Sequence, residues 1–135
     1  MSYEYFLQAH LHKDFQKIPT EKILSVFRPY IVAKDKTYVD LRFDENNTCT
    51  IYLNTEAPDN SGFMVSRPCG GGLGECLYQV MLSGNFVFFE PDGIHMITVN
   101  PSVEAHLPEN MIATLGKPVV GVSLEEFLKL YDNNR

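Results

Sequence analysis

No stretch of this sequence is strongly basic. Its 11 lysines and arginines are scattered among 17 aspartates and glutamates, which leaves a formal net charge of −6. Nucleic-acid binding needs a basic stripe to replace phosphate counterions, so that class of partner is excluded. No apolar run approaches the roughly 20 residues of a membrane-spanning helix; Phe86–Phe89 is among the longest. Met1–Tyr5 has no basic leader and no long apolar stretch, so it does not read as a signal peptide. The cysteines, Cys49, Cys69 and Cys76, are odd in number, which argues against a secreted disulfide framework. Free thiols in a reducing cytoplasm are the expectation. Catalytic signatures are missing too: there is no G-x-S-x-G, no H-E-x-x-H, no P-loop and no dinucleotide fingerprint. Neither an internal repeat nor a long linker divides the chain.

What is present is enough for one ordinary domain. A chain of 135 residues with 44% hydrophobic content can bury roughly two thirds of its unfolded surface, so one soluble domain over 1–135 should fold without metal or disulfide. The hydrophobic periodicity predicts the order β-α-β-β-β-α-β-β-α-β-α. Residues 3–11 alternate as a strand, except that Phe6 breaks the polar side, so both faces of that strand should be partly covered. Thr20 is the expected N-cap of a first helix, with Glu21 in its first turn, and Pro29 should stop it near Arg28. A third strand is expected over 63–67, and a second helix from Gly74 or Glu75 to a stop at Gly84. A second hairpin, 86–89 with 94–99, turns around Pro91-Asp92-Gly93. Pro108 opens a third helix that Gly116 ends, and 118–122 is a short strand. Ser123-Leu124-Glu125-Glu126 is a capping box for the last helix. Hairpins interrupted by helices predict an α+β fold with a mixed or mainly antiparallel sheet, its helices packed mainly on one face.

The clearest hairpin spans 38–44 and 48–54. Pairing Asp44 with Thr48 keeps the apolar faces matched and leaves a three-residue loop, Glu45-Asn46-Asn47, whereas a two-residue loop would mismatch the faces. The opposite face then presents Tyr38, Asp40, Arg42, Asp44 and Tyr52, with cross-strand pairs such as Arg42 with Thr50. Tyrosine and arginine are frequent at interface hot spots, and acidic neighbours steer a basic partner. This face is the candidate partner-binding site; its plainer reading is ordinary solvated sheet.

A second candidate is Cys69-Gly70-Gly71-Gly72-Leu73-Gly74, which leads into a helix N-terminus. Bare backbone N–H groups there can hold an anion or small ligand. Such a position lowers a thiol pKa, which would make Cys69 a possible nucleophile, but a base is needed and the sequence places no histidine beside it. The plainer reading is a flexible loop with positive φ. His10 and His12 share a strand face and could bind metal together, yet no second pair completes a site, and the Cys69–Cys76 spacing fits no zinc knuckle. No catalytic residue, metal or cofactor is therefore assigned.

The run Gly62-Phe63-Met64-Val65-Ser66-Arg67-Pro68-Cys69 resembles small bacterial immunity-type proteins of polymorphic and contact-dependent toxin systems. So do Leu107-Pro108-Glu109, Leu115-Gly116-Lys117-Pro118 and Ser123-Leu124-Glu125-Glu126. The resemblance covers about half the chain and implies a cytoplasmic antidote that binds a toxin domain and blocks its active site. It carries over no contact residues. Two other functions remain open from the residues: a small-ligand or thiol-dependent enzyme domain using the Cys69–Gly74 loop, and a homo-oligomeric adaptor. The chain itself is expected to be a monomer or a homodimer.

Overall fold

A computed structural model describes residues 4–91 and 93–134. Asp92 lies outside the described residues, so the turn expected around Pro91-Asp92-Gly93 is seen only at its flanks. The elements in chain order are β1 (Glu4–Leu11), β2 (Asp14–Phe15), β3 (Ile18–Pro19), α1 (Thr20–Phe27), β4 (Ile31–Lys34), β5 (Tyr38–Asp44), β6 (Asn47–Tyr52), β7 (Asp59–Asn60), β8 (Gly62–Ser66), α2 (Leu73–Met81), β9 (Phe86–Phe89), β10 (Ile97–Thr98), α3 (Glu109–Leu115), β11 (Val119–Val120) and α4 (Leu124–Asp132). Short 3-10 helices follow α1 over 28–30 and precede α3 over 101–106.

The fold is α+β. Its main sheet runs β11-β10-β9-β1-β8-β6-β5-β4, with β2 appended to β1. The β10–β11 pair is parallel and the other pairs are antiparallel. β1 lies in the middle, between β8 and β9. That position accounts for its sequence: Tyr5, Leu7 and Ala9 are fully buried, and Phe6 on the other side is half-buried.

The main core lies between one face of the sheet and α1, α2 and α4. Tyr5, Leu7, Val39, Leu41, Ile51, Val65, Phe86 and Phe88 meet Ile23, Phe27, Leu77, Val80 and Phe127 there. Burying each large side chain contributes roughly 1.5–3 kcal/mol. Edge-to-face rings extend through it, Tyr5 on Phe88 at 4.9 Å and Tyr5 on Tyr131 at 5.4 Å. A smaller cluster sits on the opposite face, where the second 3-10 helix and α3 bring Val103, Leu107, Met111 and Ile112 against Val87, Phe89 and Met96. That cover is confined to the β9–β10 end.

Several local expectations need correction. The β5–β6 register differs by two residues from the expected one: Val39 faces Ile51, Leu41 faces Cys49, and Asp44 faces Asn47. The turn is two residues, Glu45-Asn46. The mismatch a two-residue loop creates is absorbed by a bulge at Phe43, between Arg42↔Thr48 and Asp44↔Asn47. Arg42 therefore pairs with Thr48, not Thr50. Thr20 is the first helical residue, not the N-cap; its hydroxyl donates to the Ala57 carbonyl at 2.7 Å and accepts from Asn60 Nδ2 at 2.7 Å. α2 ends at Met81, short of Gly84. β4, β2, β3 and β7 are additional to the expected order. The capping box on α4 is present, with Ser123 Oγ accepting from the Glu126 N–H at 3.1 Å.

Candidate binding face

Alternation on the central strands sends one set of side chains to the core and the other to the opposite face. Because α1, α2 and α4 lie on the core side, the outward set from β1 across to β4 is only partly covered: Phe6, Met64, Tyr38 and Asp40 are half-buried, Arg42 and Tyr52 are exposed, and His10 and Thr50 are buried. Strand pairing aligns those outward residues in rows. Phe89 faces Phe6, Phe6 faces Met64, Met64 faces Tyr52, and Tyr52 faces Tyr38. One apolar and aromatic row thus crosses five strands. Phe6 and Phe89 stack at 5.4 Å, and the Tyr38 and Tyr52 rings lie 6.2 Å apart. Phe89 touches the smaller cluster at one end, while Tyr52 at the other is 42% exposed.

A parallel polar row flanks it. Glu4 faces Ser66, Ser66 faces Thr50, and Thr50 faces Asp40. The Thr50 hydroxyl donates to Asp40 Oδ1 at 2.7 Å, which holds that carboxylate in place. Beyond it, Arg42, Thr48, Arg67 and the exposed Val32 surround a depression of about 210 Å³. Across the aromatic row, Phe6, Gln8, Gly62 and Phe15 line a notch of about 290 Å³. Gly62 is required there, because a Cβ would fall 2.3 Å from the Leu7 carbonyl oxygen. Phe15 is 61% exposed and stacks on His10 at 5.2 Å.

The structure therefore brings together Tyr38, Asp40, Arg42 and Tyr52 of the predicted face. Asp44 is placed differently, because the bulge at Phe43 changes its direction. Its carboxylate accepts from Asn47 Nδ2 at 2.9 and 2.8 Å and from the Asn46 N–H at 2.8 Å. These bonds, Asn47's side chain first, hold the Asp44 carboxyl below its ordinary value. Phe6, Met64, Phe89, Phe15 and Arg67 lie on or beside the face without having been expected there. Phe6 carries a signal, the break in alternation; the others join the face only through strand pairing.

The glycine-rich segment docks on the hairpin turn. The Gly70 N–H donates to Asn47 Oδ1 at 2.9 Å. Gly71 (φ 75°) sits where a Cβ would be 2.9 Å from Phe43 Cβ, so the contact and the backbone both require glycine. Gly72 is the left-handed N-cap of α2, and the Glu75 carboxylate lies close by. Gly74 lies inside α2 against Leu128 and Tyr131. Gly71 and Gly72 help line a depression of about 650 Å³ with Tyr30, Glu75 and Gln79.

The three cysteines are free. Burial pushes the Cys69 thiol up, not down as its place before a helix suggests. Burial also raises Cys49 far above its ordinary value and pushes Cys76 up to about 11. For Cys76 the neighbouring Glu75 charge adds to the effect of burial. The histidines lie elsewhere: His10 is under Phe15, His12 and His106 lie ring to ring at 5.1 Å, and His95 is held by Asn134. His10 and His12 do not share a face, because β1 ends at Leu11 and His12 is in the turn. Among the described residues, no group of three or more His, Cys, Asp or Glu could hold a metal ion, and no helix is long and apolar enough to cross a membrane. Comparison with family models, curated proteins and solved structures finds no match to this chain.

Proposed function

We propose that this chain is a protein-binding inhibitor, an immunity-type antidote that acts in the cytoplasm by laying the open face of its sheet over a toxin's active site. The observation that carries this reading is the row Phe89–Phe6–Met64–Tyr52–Tyr38, which lies outside the main core. Rigid strands hold its rings in place, so docking costs little side-chain entropy. Carboxylates at Glu4 and Asp40 beside the row, and a net charge of −6, favour encounter with a basic cleft. A standard interface of about 800 Å² on each partner would take in the row and both flanks.

The test is co-expression with a toxin domain encoded directly upstream of this chain. The expected result is a one-to-one complex and loss of toxicity. Tyr52→Ala should weaken the complex by about 2 kcal/mol, the scale of an interface hot spot, and Asp40→Lys should act mainly on the association rate. A toxin that stays fully active under saturating inhibitor, or a complex indifferent to both substitutions, overturns the reading. Light scattering of the chain alone separates it from a homo-oligomeric adaptor, which would cover this face with its own copy.

A further inference from the structure

Arg42 and Arg67 both line one depression of about 210 Å³ beside the aromatic row. Both residues are exposed, and neither has a salt bridge or side-chain hydrogen bond among the described residues. Arg28, by contrast, is paired with Glu21. Arg67 is also strained. It has φ 53°, although a residue before proline is steered to extended conformations and a non-glycine residue at positive φ is uncommon. Such strain is a reason to look for a function at the position.

Asp40, Thr48 and Thr50 also line the depression. Asp40 is already occupied by the Thr50 hydroxyl. Asp44 feels the Arg42 charge, but its carboxylate is turned to Asn47 and does not line the depression. Two cations against one carboxylate leave a single net positive charge, which suits a monoanion better than a dianion. Guanidinium forks match the two oxygens of a carboxylate.

We infer that Arg42 and Arg67 form a receptor for one carboxylate, supplied by an aspartate or glutamate side chain of the protein that docks on this face. The inference rests on the docking reading above and adds a specific anchor to it. A blocked active site is a natural source, since general acid–base catalysis commonly uses a carboxylate. The aromatic row would then supply contact area, and the arginine pair would fix the register of the partner.

The probe is acetate, titrated into protein labelled so that each arginine Nε–Hε signal is resolved by NMR, with inorganic phosphate and chloride as the other arms. The expected result is a saturating shift of Arg42 and Arg67 together with acetate, weaker with phosphate, while Arg28 moves no more than in chloride. Arg67→Gly retains the fold, because glycine accepts φ 53° freely, and should weaken acetate at Arg42 about tenfold. Tyr52→Ala should leave acetate binding unchanged while it weakens the protein complex, so each reading can fail without the other. A response that never saturates, a chloride effect of equal size, tighter phosphate binding, or an Arg42 response indifferent to Arg67→Gly overturns the carboxylate receptor.

Discussion

Asn47 holds Gly70: its Oδ1 accepts the Gly70 N–H at 2.9 Å, while its Nδ2 donates to both oxygens of Asp44. One amide thereby joins the β5–β6 turn to the loop that starts α2. Asn47→Ala should lose about 1 kcal/mol through the Gly70 bond and speed amide exchange at Gly70. It should also return the Asp44 carboxyl toward its ordinary value of 3.8. The sign follows from that depressed folded value: the Asp44 contribution is present above 3.8 and is lost as pH falls through the folded pKa. The variant should therefore lose less stability in acid than the parent, as read by denaturation across pH.

His10 should make stability fall on mild acidification. Burial holds its pKa below the ordinary 6.5, with the Asp14 carbonyl and charge partly opposing. The fold thus prefers the neutral ring, so stability is full above 6.5 and is lost as pH falls through the lower folded value. Among the described residues its buried Nδ1 has no hydrogen-bond partner, and Nε2 lies 3.4 Å from Gln8 Oε1. His10→Phe should remove this part of the pH dependence, measured as the denaturation midpoint between neutral and mildly acidic buffer.

Lys13→Gly should stabilise the chain. His12 and Lys13 have φ 52° and 69° in the two-residue turn between β1 and β2, a geometry that favours Asn-Gly. Relief at Lys13 is worth about 1 kcal/mol, read as a higher midpoint in urea. Loss of the Lys13 contact with the Leu107 carbonyl, 3.5 Å long, offsets little of this.

Asn134→Ala should destabilise by about 1–3 kcal/mol. Asn134 is almost fully buried near the end of the described chain. Its Oδ1 accepts from the His95 N–H at 2.9 Å, and its Nδ2 donates to the His95 carbonyl at 3.1 Å. Removing the amide takes a partner from the part-buried His95 N–H and carbonyl and from the buried Glu90 carboxylate. Thermal unfolding should show the loss, and exchange should rise at the His95 amide.

Much of the element order is legible because its signals are local. The Ser123 capping box, the Gly116 stop of α3 and the alternation in β5 and β6 each depend on a few neighbouring residues. The β5–β6 register is not legible, since a bulge at Phe43 lets a shorter turn keep the same faces. Of the candidate face, Tyr38, Asp40, Arg42 and Tyr52 follow from alternation alone. Asp44 leaves the set at the bulge.

Short segments suffice for the helices, for the capping box of the last one and for the apolar side of each central strand, because periodicity and capping depend on near neighbours. The placement of β1 between β8 and β9 is of another kind, and with it the way Phe6 and Met64 connect Phe89 to the two tyrosines. Residues 6, 64 and 89 are far apart in the chain. What aligns them is hydrogen bonding between strands chosen by the packing of the whole core, which no single stretch of residues encodes.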